Sequence, residues 1–346
     1  MIELEDVVKA LNKKFGKGYI GTGNEVLQTD YTRGTLGTLA LDYAIGGGLP
    51  ERKIVMIAGK PSSGKTTTSL IAAAQYQAAG GKVCLIDVEH GFDAIWATKL
   101  GVKVEDMYFA QSKTIEEITD TVEPLIMTGA FSLIIIDSIA AASSTKELED
   151  SAEQKSYGGN AKANGLMIRK MTAALNDCKN PVKTSVMMLN QIRDNIGGWG
   201  APEYTPGGQQ LHFQSDIIVW LRPDSKPVNG KDDPRGITIK FKVTKNRTAP
   251  PMKVGTYDLL FEGKIDNRKS SIELGVVTGV IGKVGYKYTF KDKSVTDLKP
   301  FMLALTDEDF NEIGKLVVEA VKNGAGEIKD TIDEVDLLEE IEVTVD

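Results

Sequence analysis

Gly59-Lys60-Pro61-Ser62-Ser63-Gly64-Lys65-Thr66 spells G-x-x-x-x-G-K-T, and its flanks decide how it folds. Before it runs Lys53-Ile54-Val55-Met56-Ile57-Ala58, short, apolar and β-rich. After it runs Thr67-Thr68-Ser69-Leu70-Ile71-Ala72-Ala73-Ala74-Gln75-Tyr76, rich in helix formers. Strand, glycine loop and helix together are the setting of a phosphate-binding loop. Successive backbone N–H groups curl round a polyphosphate, and the helix aims its positive end at it. On this reading Gly59 through Thr67 line the phosphates. Lys65 reaches the β- and γ-phosphates, and the Thr66 hydroxyl completes a Mg²⁺ shell that retains waters. A plain glycine turn needs neither the lysine nor the hydroxyl after it. The chain is expected to bind a nucleoside triphosphate.

Outward from the loop, apolar strands alternate with helical patterns. Strands are predicted at Ile54–Ala58, Val83–Asp87, Leu133–Asp137, Ser185–Asn190 and Ile217–Leu221, and helices at Thr66–Ala79, Ile115–Thr128 and Ala161–Asn176. Unbroken apolar runs such as Leu133-Ile134-Ile135-Ile136 suit a parallel sheet covered on both faces. Ile237–Thr244 and Thr256–Phe261 alternate more and predict an antiparallel extension. Leu4, Val7, Val8, Leu11 and Phe15 fall at helical spacing, so a short amphipathic helix precedes the core and needs a cover. The expected fold class is α/β: a P-loop ATPase core, with a mostly parallel twisted sheet and helices on both faces, a short N-terminal helix and a small C-terminal α/β domain. The boundaries read as 1–33 for the helix and connector, 34–264 for the core, 265–326 for the small domain and 327–346 for an acidic tail.

With 346 residues, 41% apolar and 26% charged, the composition is that of a soluble globular protein. No apolar run approaches membrane-spanning length, and the acidic start Met1-Ile2-Glu3-Leu4-Glu5-Asp6 lacks a signal-peptide pattern. A cytoplasmic location is expected, the host cytoplasm if the gene is viral. Cys84 and Cys178 are the only cysteines, too few for a disulfide framework or a cysteine zinc site. The net charge of −7 is unevenly placed: residues 327–346 hold nine acids against one lysine, a net of −8, which leaves +1 for the remainder. The body therefore admits a local nucleic-acid stripe. The tail is either solubilising or a competitor of DNA for basic surface.

Three further strands end in polar side chains, where open α/β sheets bind their ligands. Asp137 closes Leu133–Ile136 and suits a carboxylate that reaches Mg²⁺ through water. Glu89 follows Leu85-Ile86-Asp87-Val88; it is either a base for the water attacking the γ-phosphate or a solvated loop acid. Gln191, in Asn190-Gln191-Ile192-Arg193, is placed to hydrogen-bond the γ-phosphate and pass its presence to the glycine-rich segment Asp194–Gly208. Trp199 in that segment suits stacking on bases or anchoring a lid. Lys245 and Arg247 bracket a turn and are either a solvated hairpin end or cations supplied in trans to a neighbouring subunit.

Taken together these residues resemble the RecA recombinase family. The resemblance starts at Lys14-Phe15-Gly16-Lys17-Gly18 and runs through Leu39-Ala40-Leu41-Asp42-Tyr43-Ala44-Ile45-Gly46-Gly47-Gly48-Leu49-Pro50 into the phosphate loop. It continues in order at Asp87-Val88-Glu89-His90, Asp137-Ser138, Asn190-Gln191-Ile192-Arg193, Gly207-Gly208, Val243-Thr244-Lys245-Asn246-Arg247 and Ile281-Gly282-Lys283-Val284-Gly285.

The resemblance implies ATP with Mg²⁺, Glu89 as the catalytic glutamate and Gln191 as the link from ATP to the DNA loop. It implies that Asp93 and Trp96 contact adenine, Trp96 where the family usually has tyrosine. It implies that Lys245 and Arg247 reach ATP across a subunit interface, where the family typically has two lysines. Lys162 and Arg169 match positions on the DNA backbone; Arg193, Trp199, Gly207 and Gly208 fall in the DNA-binding loop. The Leu4–Phe15 helix matches a segment that docks on the next protomer, and Phe213 an interface aromatic. Implied partners are single- and double-stranded DNA, further copies of the chain in a helical filament, and single-strand-binding and loader proteins. The activity expected is DNA-dependent ATP hydrolysis with homologous pairing and strand exchange. Alternatives are another motor of this fold, such as a ring helicase, and a DNA-coating filament protein that keeps ATP as a structural ligand.

Overall fold

The computed structural model describes residues 3–23, 31–149, 159–177, 183–195, 203–228 and 234–324. Among the described residues nine strands make the central sheet: β1 Ile54–Gly59, β2 Lys82–Asp87, β3 Tyr108–Gln111, β4 Phe131–Asp137, β5 Ser185–Gln191, β6 Ile217–Val228, β7 Gly236–Asn246, β8 Val254–Leu260 and β9 Lys264–Asp266. Their spatial order is β9-β8-β7-β6-β1-β5-β4-β2-β3. Pairing is parallel from β6 to β3 and antiparallel from β6 to β9. This is the predicted α/β architecture with its antiparallel extension.

Among the described residues the α-helices are α1 Leu4–Phe15, α2 Leu39–Ala44, α3 Lys65–Ala78, α4 Ala94–Lys99, α5 Ile115–Met127, α6 Thr145–Glu149, α7 Gly159–Leu175, α8 Gln209–Gln214, α9 Arg268–Val277, α10 Leu298–Ala304 and α11 Asp307–Lys322. Successive strand residues face opposite sides, so an unbroken apolar strand feeds two cores at once. Val55 and Ile57 of β1 join Leu70, Ala73 and Tyr76 of α3 on one face. Ile54, Met56 and Ala58 join Ile118 and Val122 of α5 and Ile168 and Met171 of α7 on the other. Each fully buried Val, Leu, Ile or Met among them stabilises the fold by about 1.5–3 kcal/mol. Burial on both faces is why the sheet holds its strand ends, and the polar residues there, at fixed positions.

Edge strand β3 has no counterpart in the sequence reading. Tyr108 and Phe109 are exposed, so the strand shows neither a buried run nor a clean alternation. Residues 268–322 build a smaller assembly: β10 Gly282–Val284, β11 Lys287–Phe290 and β12 Lys293–Thr296 form an antiparallel sheet beside α9, α10 and α11. Its cluster around Phe301, Phe310, Ile313 and Val317 also takes in Leu39 and Tyr43 from α2. The neighbouring α2 residues Leu41 and Ala44 face the main core, so one short helix is shared by both. Thr306 and Asp309 close a reciprocal capping box at the start of α11.

Within the chain α1 buries none of its residues. Asn12 bonds the backbone of Ile20 through both its amide groups, and Phe15 stacks on Tyr19 at 4.5 Å. Leu4 and Val7 stay 77% and 40% exposed. Among the described residues no helix is long and apolar enough to cross a membrane.

Candidate active site

The glycine loop between β1 and α3 is shaped by two close approaches. A Cβ on Gly59 would lie 2.2 Å from Ser63 Oγ and 2.8 Å from the Leu221 carbonyl. Gly64, just before α3, has φ 82°, a left-handed conformation that favours glycine. Lys65 Nζ donates to the carbonyls of Gly59 at 2.9 Å and Lys60 at 3.0 Å. Burial pushes the Lys65 ammonium below the usual lysine range, while Asp137 and Glu89 pull it back up.

Thr66 and Asp137 meet across the loop, with Thr66 Oγ1 donating to Asp137 Oδ2 at 2.7 Å. Burial pushes the Asp137 carboxyl up to about 6; Thr66 and Lys65 oppose the shift, and Glu89 and Asp87 add to it. The backbone N–H of Val88 donates to the Asp137 carbonyl at 2.7 Å, tying the ends of β2 and β4 together. Glu89 Oε1 accepts from Ser138 Oγ at 2.5 Å and from Gln191 Nε2 at 3.2 Å. The ends of β2, β4 and β5 thus converge beside the glycine loop. Asp87 is buried and holds the next turn, accepting from Gly91 N at 3.4 Å and Phe92 N at 3.2 Å.

Among the described residues no group of three or more His, Cys, Asp or Glu gathers as a metal cage. The Thr66–Asp137 pair fits a different metal: hard oxygen donors, few of them from protein, suit Mg²⁺, which keeps waters and takes phosphate oxygens. Ser63 Oγ is buried with no protein partner. That orphan hydroxyl and the Gly59 approach fit a phosphate-lined cradle.

The remaining predicted residues lie in three places. Asp93 caps α4, accepting from Ile95 N at 2.8 Å and Trp96 N at 3.0 Å, and Trp96 is half-buried against the core. Lys245 and Arg247 sit at the far end of the sheet: Lys245 pairs with Ile218, whereas Gly59 pairs with Leu221. Both cations donate to the Phe213 carbonyl, Lys245 at 2.7 Å and Arg247 at 2.6 Å. Burial, with the Arg247 charge beside it, pushes Lys245 down to about 8. The structure does not bring them to the chain's own glycine loop.

Gly207 and Gly208 precede α8 with φ 106° and 90°. A Cβ on Gly208 would lie 2.9 Å from that of Ala161, so this segment abuts the start of α7. Lys162 and Arg169 are exposed on α7, seven residues apart and therefore on one side of it. Arg193 is exposed and pairs with Tyr204 in a two-stranded ladder. Trp199, Cys178 and the acidic tail lie outside the described residues. Cys84 is buried, which pushes its thiol up to about 11.

A family model described as the RecA N-terminal domain matches residues 2–266. The chain belongs to the RecA family. It is 35% identical over 292 residues to Protein RecA of Brevibacillus brevis, covering 84% of this chain and 82% of the relative. For Protein RecA of Thermus thermophilus the figures are 35% over 289 residues, 83% and 84%. For that of Campylobacter jejuni subsp. doylei they are 34% over 327 residues, with 93% of each chain covered. Among solved structures, a crystal structure of the RadB recombinase superposes with a TM-score of 0.51 at 20% identity, covering 67% of this chain and 98% of that one. That likeness is one of fold.

Several contacts of this RecA-family site are silent in the sequence, although Lys60, Ser138 and Asn190 themselves lie in its motifs. Ser138 joins Glu89 from 49 positions away. Asn190 Nδ2 donates to the Pro206 carbonyl at 2.9 Å, fastening the segment before Gly207 to the end of β5. Lys60 pairs with Asp194 and Glu203, and Glu203 also pairs with Arg222. Asp194, Glu203 and Arg222 carry no such local signal, whereas Ser138 follows Asp137 at a strand end, Asn190 precedes Gln191 and Lys60 is among the residues expected to line the phosphates.

Proposed function

We propose that this chain is a DNA-dependent ATPase that polymerises as a helical filament on single-stranded DNA and drives homologous pairing and strand exchange in recombinational repair. The observation that carries this reading is the shared carboxylate: Glu89 Oε1 accepts from Gln191 Nε2, and Gln191 ends the strand leading to Arg193 and Asp194. A group that senses the γ-phosphate is thereby joined to the base that activates the attacking water and to the segment assigned to DNA. Relatives named Protein RecA support the same reading.

In this mechanism Lys65 and the loop N–H groups bind the triphosphate, Asp93 and Trp96 contact adenine, and Thr66 and Asp137 hold Mg²⁺. Bound Mg²⁺ neutralises charge on the phosphate oxygens. Glu89, oriented through Oε1 by Ser138 and Gln191, takes the proton of the attacking water at its other oxygen, Oε2. Lys245 and Arg247 serve the site of the neighbouring protomer, which the exposed face of α1 helps to recruit. Lys162, Arg169 and Arg193 bind the DNA backbone, N–H groups of Gly207 and Gly208 add to them, and Trp199 stacks on bases. The small C-terminal unit, which follows β9 and shares α2 with the core, and the acidic tail of 327–346 are modules appended to the ATPase core, and the protein works in the cytoplasm.

The test is phosphate release from ATP and Mg²⁺ with and without single-stranded DNA, for wild type and Glu89→Gln. Strong stimulation by DNA that the variant loses supports the reading. Turnover indifferent to DNA overturns it.

A further inference from the structure

Lys60 occupies a position that the phosphate-loop motif leaves free, so the motif does not explain a lysine there. Its ammonium lies 2.8 Å from Asp194 Oδ1 and 2.9 Å from Glu203 Oε1. Those carboxylates face each other in the ladder that pairs Arg193 with Tyr204 and Asp194 with Glu203, the neck of the segment between them. Glu203 also pairs with Arg222, the residue after Leu221, which stands in register with Gly59 at the base of the loop. Arg222, Glu203, Lys60 and Asp194 therefore form a chain of alternating charge from the sheet to the neck. Glu203 is the best shielded of them, with its side chain 13% exposed against 42% for Lys60 and 60% for Asp194.

We propose that Lys60 is a positioning residue that clamps the phosphate loop to this neck, so that nucleotide affinity and the setting of the neck depend on each other. Two attachments then run from the nucleotide site to the same segment. Gln191 reaches it through the strand, and Lys60 reaches it through the ion pairs. The clamp is also electrostatic: four charges that sum to zero become a net negative neck beside exposed Arg193 once Lys60 is lost. Whatever favours one setting of the neck alters nucleotide affinity, and nucleotide alters the neck by the same factor. That DNA is what engages the neck rests on the function proposed above.

The test is a double-mutant cycle on the affinity of the full chain for a fluorescent, non-hydrolysable ATP analogue with Mg²⁺, using Lys60→Glu, Asp194→Lys and the pair together. Each single variant is expected to weaken binding about three- to five-fold, the scale of a partly exposed ion pair, and the reversed pair to recover most of it. Losses that simply multiply in the pair overturn the clamp. Should Lys60→Glu abolish binding, Asp194→Asn decides, since Asp194 lies outside the loop. Weakening of about three-fold supports the clamp and an unchanged Kd overturns it. A repeat with an oligothymidylate separates the two readings. If DNA leaves wild-type affinity unchanged, the DNA reading fails, while the cycle without DNA still judges the clamp.

Discussion

Gln191 donates through Nε2 to Glu89 Oε1 at 3.2 Å, across 102 positions of sequence. The contact joins the end of β5 to the carboxylate that follows β2, beside the Thr66–Asp137 pair. A side chain that bonds the proposed base from the strand leading to the segment proposed to bind DNA is placed to report on both.

Glu89→Gln and Gln191→Ala should therefore fail differently. Glu89→Gln removes the base and is expected to lower kcat by about 10²- to 10⁴-fold, with or without DNA. Gln191→Ala is expected to keep Glu89 and much of the basal rate but lose stimulation by DNA. Steady-state phosphate release over a DNA titration checks both. Undiminished stimulation in Gln191→Ala would remove Gln191 from the coupling.

Gly59→Ala places a methyl carbon 2.2 Å from Ser63 Oγ and 2.8 Å from the Leu221 carbonyl. The backbone carbonyl cannot step aside, so the loop must distort, at a cost of about 1–3 kcal/mol. The expected result is loss of ATP binding in a folded chain. It is measured as the disappearance of the ATP-dependent thermal shift, with circular dichroism retained.

Asp42 is buried, its carboxylate accepting from the Thr35 hydroxyl and from Leu36 N. Burial raises its carboxyl from the ordinary range to about 7, against the pull of those hydrogen bonds and of Lys322. A raised acid is protonated in the folded state over a pH range where it is ionised unfolded. Its stabilising contribution is thus full below the unfolded value of about 4 and is lost as pH rises through about 7. Thermal denaturation of wild type from pH 5 to 8 should show Tm falling, and Asp42→Asn should flatten that part of the slope. Parallel slopes in the two proteins would refute the assignment.

Leu4→Glu with Val7→Glu tests the open face of α1. Neither residue is buried in the protomer, so stability should move by less than about 0.5 kcal/mol. Self-association, followed by sedimentation velocity and by electron microscopy on single-stranded DNA, should drop sharply. Wild-type assembly in the variant would mean that α1 is covered by something other than a neighbour.

Much of the fold was readable because its causes are local or periodic. The glycine loop declares itself through residues that must adopt left-handed or crowded backbone, and its function through a lysine and a hydroxyl at fixed spacing. Strands β1, β2, β4 and β5 declare themselves because burial on both faces demands unbroken apolar runs. Strand β3 stays hidden because three of its four residues are exposed and none is buried, which removes both the apolar run and the alternation.

By itself, then, the sequence determined the α/β class, the phosphate loop, the acidic and amide groups at the strand ends and the helix that wants a cover. Tertiary structure alone decided which of those groups touch. It put Ser138 and Gln191 on one oxygen of Glu89, bound Lys60 to a neck 134 positions away, and turned Lys245 and Arg247 toward the Phe213 carbonyl at the far end of the sheet. The physical reason is range. Turn sterics and burial patterns act over a few residues and leave a mark in the order of amino acids. A hydrogen bond or ion pair between distant positions exists only after strand order and register have brought its partners within about 3 Å.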